Sequence, residues 1–146
     1  MKPITTLVVL AAEKELRLLR HAGTGKGLDE VVHRHASGYP DQDVEYTDRA
    51  PRSHGGAARF GHGERGDEED AEMARFAARV LDETAREWAG GTYARIVLAA
   101  SPRLLGHLRD HMPAALKAHV VAELDKDLVK IPLADLPDHL GAVLAV

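Results

Sequence analysis

The run Thr5-Thr6-Leu7-Val8-Val9-Leu10-Ala11-Ala12 constrains this chain more than any other segment. It is apolar or β-branched throughout and does not alternate, so it predicts a strand covered on both faces. A chain with such a strand must supply one apolar layer above it and another below. The 146 residues, 45% of them hydrophobic, suffice for one domain over 1–146 that buries its own core. The run is too short to cross a membrane, and Glu13-Lys14-Glu15 follows it at once, so neither a span nor a secretory leader is expected. With no cysteine in the chain, disulfides, thiolate metal sites and a cysteine nucleophile are excluded. The expectation is a soluble cytoplasmic protein.

Further elements follow from periodicity. Glu15 to His21 reads as a second strand, paired with the first as a hairpin whose turn carries no glycine. Gly23-Thr24-Gly25-Lys26-Gly27 is a turn. A phosphate loop would need Ser or Thr after the lysine, where Gly27 stands. Leu28 to His35 predicts a third strand. Met73, Phe76, Ala77, Val80, Leu81, Thr84 and Trp88 recur at helical spacing, with Asp67 to Asp70 at the start, where the helix dipole favours acids, and Gly90-Gly91 at the end. Ile96 to Ala100 is a buried strand, and Ser101-Pro102 opens a helix that Pro113 stops. Alternation from Leu116 to Leu124 predicts a strand, and Leu133 to Leu144 a closing helix with Pro137 in its first turn. The order β-β-β-α-β-α-β-α predicts a mixed five-stranded sheet with flanking helices, an α/β fold analogous to the ribonuclease-H-like group.

Between the third strand and the first helix, about 36–67, lies a Gly/His-rich segment without periodicity. Segments of this length in compact domains tend to carry function. Its centre gives a candidate loop tip of His54, Gly55, Gly56, Arg59 and His62. Together with His33, His35 and Asp67 to Asp70, His54 and His62 offer imidazole and carboxylate for Zn²⁺ or Ni²⁺, but their spacing matches no ligand pattern and solvated histidines are the favoured reading. No metal or other cofactor is therefore expected. A second candidate site, for an anion or a partner, lies where parallel strands end: Ser101, Arg103, Arg109, Asp125, Lys126 and Asp127. Ser101 reads as a helix cap rather than a nucleophile, because no Gly-x-Ser-x-Gly elbow surrounds it. A ribonuclease-H-type nuclease needs a carboxylate on the first strand to hold Mg²⁺, and Ala12 stands there.

Two segments carry a family resemblance. Ile96-Val-Leu-Ala-Ala-Ser-Pro-Arg-Leu-Leu-Gly-His-Leu-Arg109 and Val121-Ala-Glu-Leu-Asp-Lys-Asp-Leu128, leading to His139-Leu140, resemble the bacterial host-attachment protein family. That family is related to the middle domain of class-1 peptide-release factors. The resemblance implies the same α/β fold and a role in translation, with ribosome or RNA as partner, or in attachment to host cells. It departs at Ala12, where family members usually carry Asp, and at His54-Gly55-Gly56-Ala57, where release factors carry Gly-Gly-Gln. The single glutamine, Gln42, lies upstream of that pair. Without the amide a tip cannot orient a water for peptide release in the same way. The net charge of −4 also argues against a broad nucleic-acid surface. The favoured reading is a non-enzymatic, translation-related binding protein. The alternatives are a small hydrolase, metal-assisted through the His-rich segment, and an interaction module that forms a homodimer through an exposed sheet edge.

Overall fold

The computed structural model describes residues 4–35 and 62–144. Among them a five-stranded mixed sheet is ordered β3-β2-β1-β4-β5. Its strands are β1 (Thr6–Ala12), β2 (Glu15–His21), β3 (Leu28–His35), β4 (Arg95–Ala100) and β5 (Val120–Leu124). β1, β2 and β3 pair antiparallel in sequence, while β4 lies parallel to β1 and β5 parallel to β4. Helix α1 (His62–Gly90) joins β3 to β4, and α2 (Pro102–His111) with the single turn α3 (Ala114–Lys117) joins β4 to β5. A 3₁₀ turn at Leu133–Asp135 and α4 (Leu136–Leu140) follow β5. The α/β class and the strand–helix order expected from the sequence hold.

All seven residues of β1 are buried, as its unbroken apolar run requires. Leu7, Val9 and Ala11 point to one face, with Leu16, Leu18, Ile96 and Leu98, and meet Phe76, Ala77, Val80 and Leu81 of α1 and Leu104, Leu105 and Leu108 of α2. Val8, Leu10 and Ala12 point to the other, with Leu19, Val97 and Ala99, under Leu128, Val129, Leu136, Leu140 and Leu144. The first layer is two helices with apolar stripes. The second is largely irregular chain.

Three boundaries differ from expectation. α1 begins at His62, so 62–67 continue the helix rather than the loop; acids favour a helix start energetically but do not mark its first residue. Residues 114–117 form a helical turn in which the Pro113 carbonyl accepts from Leu116 and Lys117 at 3.0 and 2.9 Å. Alternation of Leu116 with Ala118 cannot distinguish that turn from a strand. The closing helix spans only Leu136–Leu140, because Pro132 and Pro137 both withhold backbone donors and divide the segment.

The β1–β2 connection is two residues, Glu13 and Lys14, and Glu13 takes φ of 55°. A left-handed turn residue without glycine explains why the hairpin was legible only from its strands. The Gly-rich connection to β3 is a turn closed by Lys26 N donating to Gly23 O at 3.0 Å. Both outer strands carry an irregularity. Pairing steps from Leu18–Val32 to Leu19–Glu30, leaving Val31 out, and from Ile96–Val120 to Val97–Ala122, leaving Val121 out. Bulges of this kind blunt a sheet edge against further pairing.

Two of the polar side chains within the second face, both on β2, bear on stability. Arg17 on β2 is 5% exposed. Its Nε donates to Glu30 Oε1 at 2.5 Å, and its Nη1 donates to the carbonyls of Val129 and Ile131 at 3.0 and 2.6 Å. It thereby fastens the segment after β5 to the sheet. Replacing Arg17 with Met leaves two carbonyls without their charged donor and should cost about 3 kcal/mol in urea unfolding. Faster amide exchange through 128–144 should accompany that loss.

His21, at the other end of β2, is 1% exposed, and neither ring nitrogen has a hydrogen-bond partner among the described residues. Burial, with Arg95 adding repulsion, holds its pKa below the ordinary 6.5. The unfolded chain therefore takes up this proton first, so the stability that neutral His21 allows is present above pH 6.5 and declines as pH falls below it. His21→Leu should be as stable as the parent or more stable by about 1 kcal/mol at neutral pH. Its unfolding midpoint should also fall less on acidification from about pH 7.5 to about pH 5.5. An unchanged pH slope would show that other groups set it.

Candidate functional site

β1, β3, β4 and β5 all point their carboxyl ends to one edge of the sheet, and β2 starts there. Ligands of open α/β sheets collect at such an edge. A cleft of about 490 Å³ lies at it, lined by Glu13, Lys14, Glu15, His35, Glu69, Glu72, Met73, Phe76 and Arg103. Each element contributes for a local reason. The two-residue turn projects Glu13 and Lys14 past the end of β1, and His35 is the last residue of β3. α1 starts at this edge, so Met73 and Phe76, at the beginning of its apolar stripe, form the floor. Arg103 sits in the first turn of α2.

The charges around the cleft are paired. Lys14 Nζ is 3.7 Å from Glu72 Oε2. Arg103 Nη2 lies 3.2 Å from Asp70 Oδ1, and its Nη1 4.0 Å from Glu69. His107 Nε2 also reaches Asp70 Oδ1, at 2.9 Å, and this hydrogen bond, with the charges of His107 and Arg103, holds the Asp70 pKa below its ordinary value. Glu15 Oε2 is 2.6 Å from His33 Nε2, and Glu13 lies 3.7 Å from Lys130 Nζ. The hairpin turn is thus tied to α1 through Lys14 and to the second layer through Glu13.

The residues proposed at the strand ends separate. Arg103 lines the cleft. Ser101 precedes α2 at the capping position, but its side chain makes no capping hydrogen bond. Arg109 is near the far end of α2 and donates from Nε to Glu123 Oε1 at 2.5 Å. Asp125, Lys126 and Asp127 follow β5 and are exposed, and Asp127 Oδ1 accepts from Val129 N at 3.3 Å. Of the proposed loop tip, His54, Gly55, Gly56 and Arg59 lie outside the described residues, and His62 opens α1. His33 and His35 sit on β3, paired with Glu15 and lining the cleft respectively. Among the described residues no three His, Asp or Glu side chains converge as a metal site. Ala12 and Ala100, where a ribonuclease-H-type enzyme would place carboxylates, are both fully buried.

In the sequence Glu69 and Asp70 read as acids at a helix start and as carboxylates for the His-rich segment, and Glu72 as the solvated face of the helix. The approach of α1 to the hairpin turn pairs Glu72 with Lys14, and its packing beside α2 pairs Glu69 and Asp70 with Arg103 and His107. Among the described residues no helix is long and apolar enough to cross a membrane.

Comparison with curated proteins finds no match. The sequence model of the bacterial archaeo-eukaryotic release factor family 12 matches residues 5–140, from the first strand through the last helix. That match takes in every described strand and helix, and the release-factor kinship implied by the segments at 96–109 and 121–128 is shown. The chain belongs to bacterial archaeo-eukaryotic release factor family 12.

Proposed function

We propose that this protein is a translation-associated binding protein that works at the ribosome without peptide-release chemistry of its own. The observation that carries this reading is the family match over residues 5–140. Peptide release by the family's namesakes depends on a glutamine after paired glycines, and here Ala57 follows Gly55-Gly56. A methyl group neither donates nor accepts a hydrogen bond, so it cannot orient an attacking water. Two-metal hydrolysis lacks support as well, because apolar Ala12 and Ala100 occupy the strand ends that would hold its carboxylates.

Sedimentation with purified ribosomes tests the reading. The protein should pellet with ribosomes at low salt and dissociate progressively as salt rises, as charge-dependent association requires. It should leave peptidyl-tRNA intact. Absence from the ribosome pellet even at low salt would refute the proposal, and hydrolysis of peptidyl-tRNA would refute its non-enzymatic part. Attachment to host cells, the other role implied by the resemblance, predicts the contrasting result: loss of adhesion in cells lacking the protein, with no ribosome association in the purified system. A metal-assisted hydrolase would instead copurify with a stoichiometric ion, lost in a His54→Ala/His62→Ala variant.

A further inference from the structure

The cleft at the carboxyl edge combines two features that together select a ligand. Its floor is apolar, made by Met73 and the almost fully buried Phe76. Its rim carries four carboxylates, Glu13, Glu15, Glu69 and Glu72, against two permanent cations, Lys14 and Arg103. Both cations are already engaged with acids of α1, Lys14 with Glu72 and Arg103 with Asp70 and Glu69. The carboxylates are engaged in turn, Glu13 with Lys130 and Glu15 with His33, but with Asp70 counted the rim holds five carboxylates against the three permanent cations Lys14, Arg103 and Lys130, and so carries an excess of negative charge.

This arrangement repels an anion. A neutral apolar ligand would strip water from the carboxylates without replacing it, a cost of several kcal/mol. The complementary group has an aliphatic stem for the floor and a positive head for the rim, as lysine and arginine side chains do. The openness of the rim separates a free small molecule from a side chain delivered by a protein. Glu13, Glu69 and Arg103 are 73%, 62% and 52% exposed at their side chains, so the site is a groove rather than an enclosure. Small-molecule sites cover roughly 70–90% of their ligand. A groove cannot do so, whereas a docked protein segment brings neighbouring residues that complete the cover.

We propose that this groove is a docking site for a basic protein segment, which lays a lysine or arginine stem on Met73, backed from beneath by the buried Phe76, and sets its charged head among Glu13, Glu15, Glu69 and Glu72. The assignment stands on the groove's own geometry and charge and is independent of the ribosome reading.

Titration of ¹⁵N-labelled protein with the capped peptide Gly-Arg-Lys-Arg-Gly tests it. Shift changes should concentrate at residues 13–15, 35, 69–76 and 103, and a control peptide with glutamine at the three basic positions should produce none. Glu13→Gln/Glu69→Gln neutralises two largely exposed side chains and leaves the floor intact, so it should fold normally and weaken binding by about tenfold. Met73→Lys, which supplies an internal cation to the floor, should abolish binding while the remaining spectrum stays native. Absence of localised shifts, equal binding of the glutamine peptide, or undiminished binding by the double variant would overturn the proposal. Spermidine occupying the groove as tightly as the peptide would overturn the assignment to a protein partner.

Discussion

The second face of the sheet depends on the guanidinium of Arg17. Among the described residues, Val8, Leu10, Ala12, Leu19, Val97 and Ala99 are covered there mainly by residues 128–144, whose regular structure is one 3₁₀ turn and the five residues of α4. Uncovering those six sheet residues would cost on the order of 10 kcal/mol. This is comparable to the whole stability of a domain of this size. A segment with so little internal hydrogen bonding has to be held by something other than its own backbone. Arg17 holds it through the carbonyls of Val129 and Ile131, while Glu30 on the neighbouring strand supplies the counter-charge. A buried cation is costly to desolvate, and three charge-assisted hydrogen bonds are what make this one tolerable.

The same fastening sets the candidate site. Leu128 and Val129 are drawn down onto the sheet, which brings Lys130 within 3.7 Å of Glu13. On the opposite side Lys14 reaches Glu72 of α1. The hairpin turn therefore contacts both layers, and it forms one wall of the groove. These contacts are largely exposed and individually weak. Their effect is to fix where the turn sits, while the buried apolar faces fix that the layers are there at all.

What the sequence disclosed follows that division. The unbroken run of β1, the stripe from Met73 to Trp88 and the Ser-Pro opening of α2 are local patterns, and each predicted its element. Arg17 was invisible because it alternates with Leu16 and Leu18 in β2, and His21 because it follows Arg20 at the strand end, where polar positions ordinarily signal a solvated face. Burial of that face depends on residues more than a hundred positions later in the chain. The groove was hidden for the same reason: 13–15, 35, 69–76 and 103 meet only through the topology. Arg103 was singled out from the strand-end rule, but its expected neighbours Arg109 and Lys126 lie elsewhere, Arg109 nearly two helical turns along α2 and paired with Glu123. The rule identifies an edge. Which charges share that edge depends on helix packing that no spacing encodes.

Kinship with release factors and an acidic groove place different demands on the molecule. A phosphate backbone approaching the groove would meet more carboxylates than permanent cations, and its counterions would not be displaced with any gain. Contact with RNA, where the proposed function calls for it, therefore belongs on another face, and this edge suits a basic polypeptide. Bulges at Val31 and Val121 bear on the same question, because they blunt both outer strands and disfavour self-association by sheet extension. Of the surfaces that the fold offers, the groove between the hairpin turn and α1 is the one where shape, apolar floor and charge agree on a class of partner. The family match identifies the scaffold, and that agreement is what carries the docking proposal for this edge.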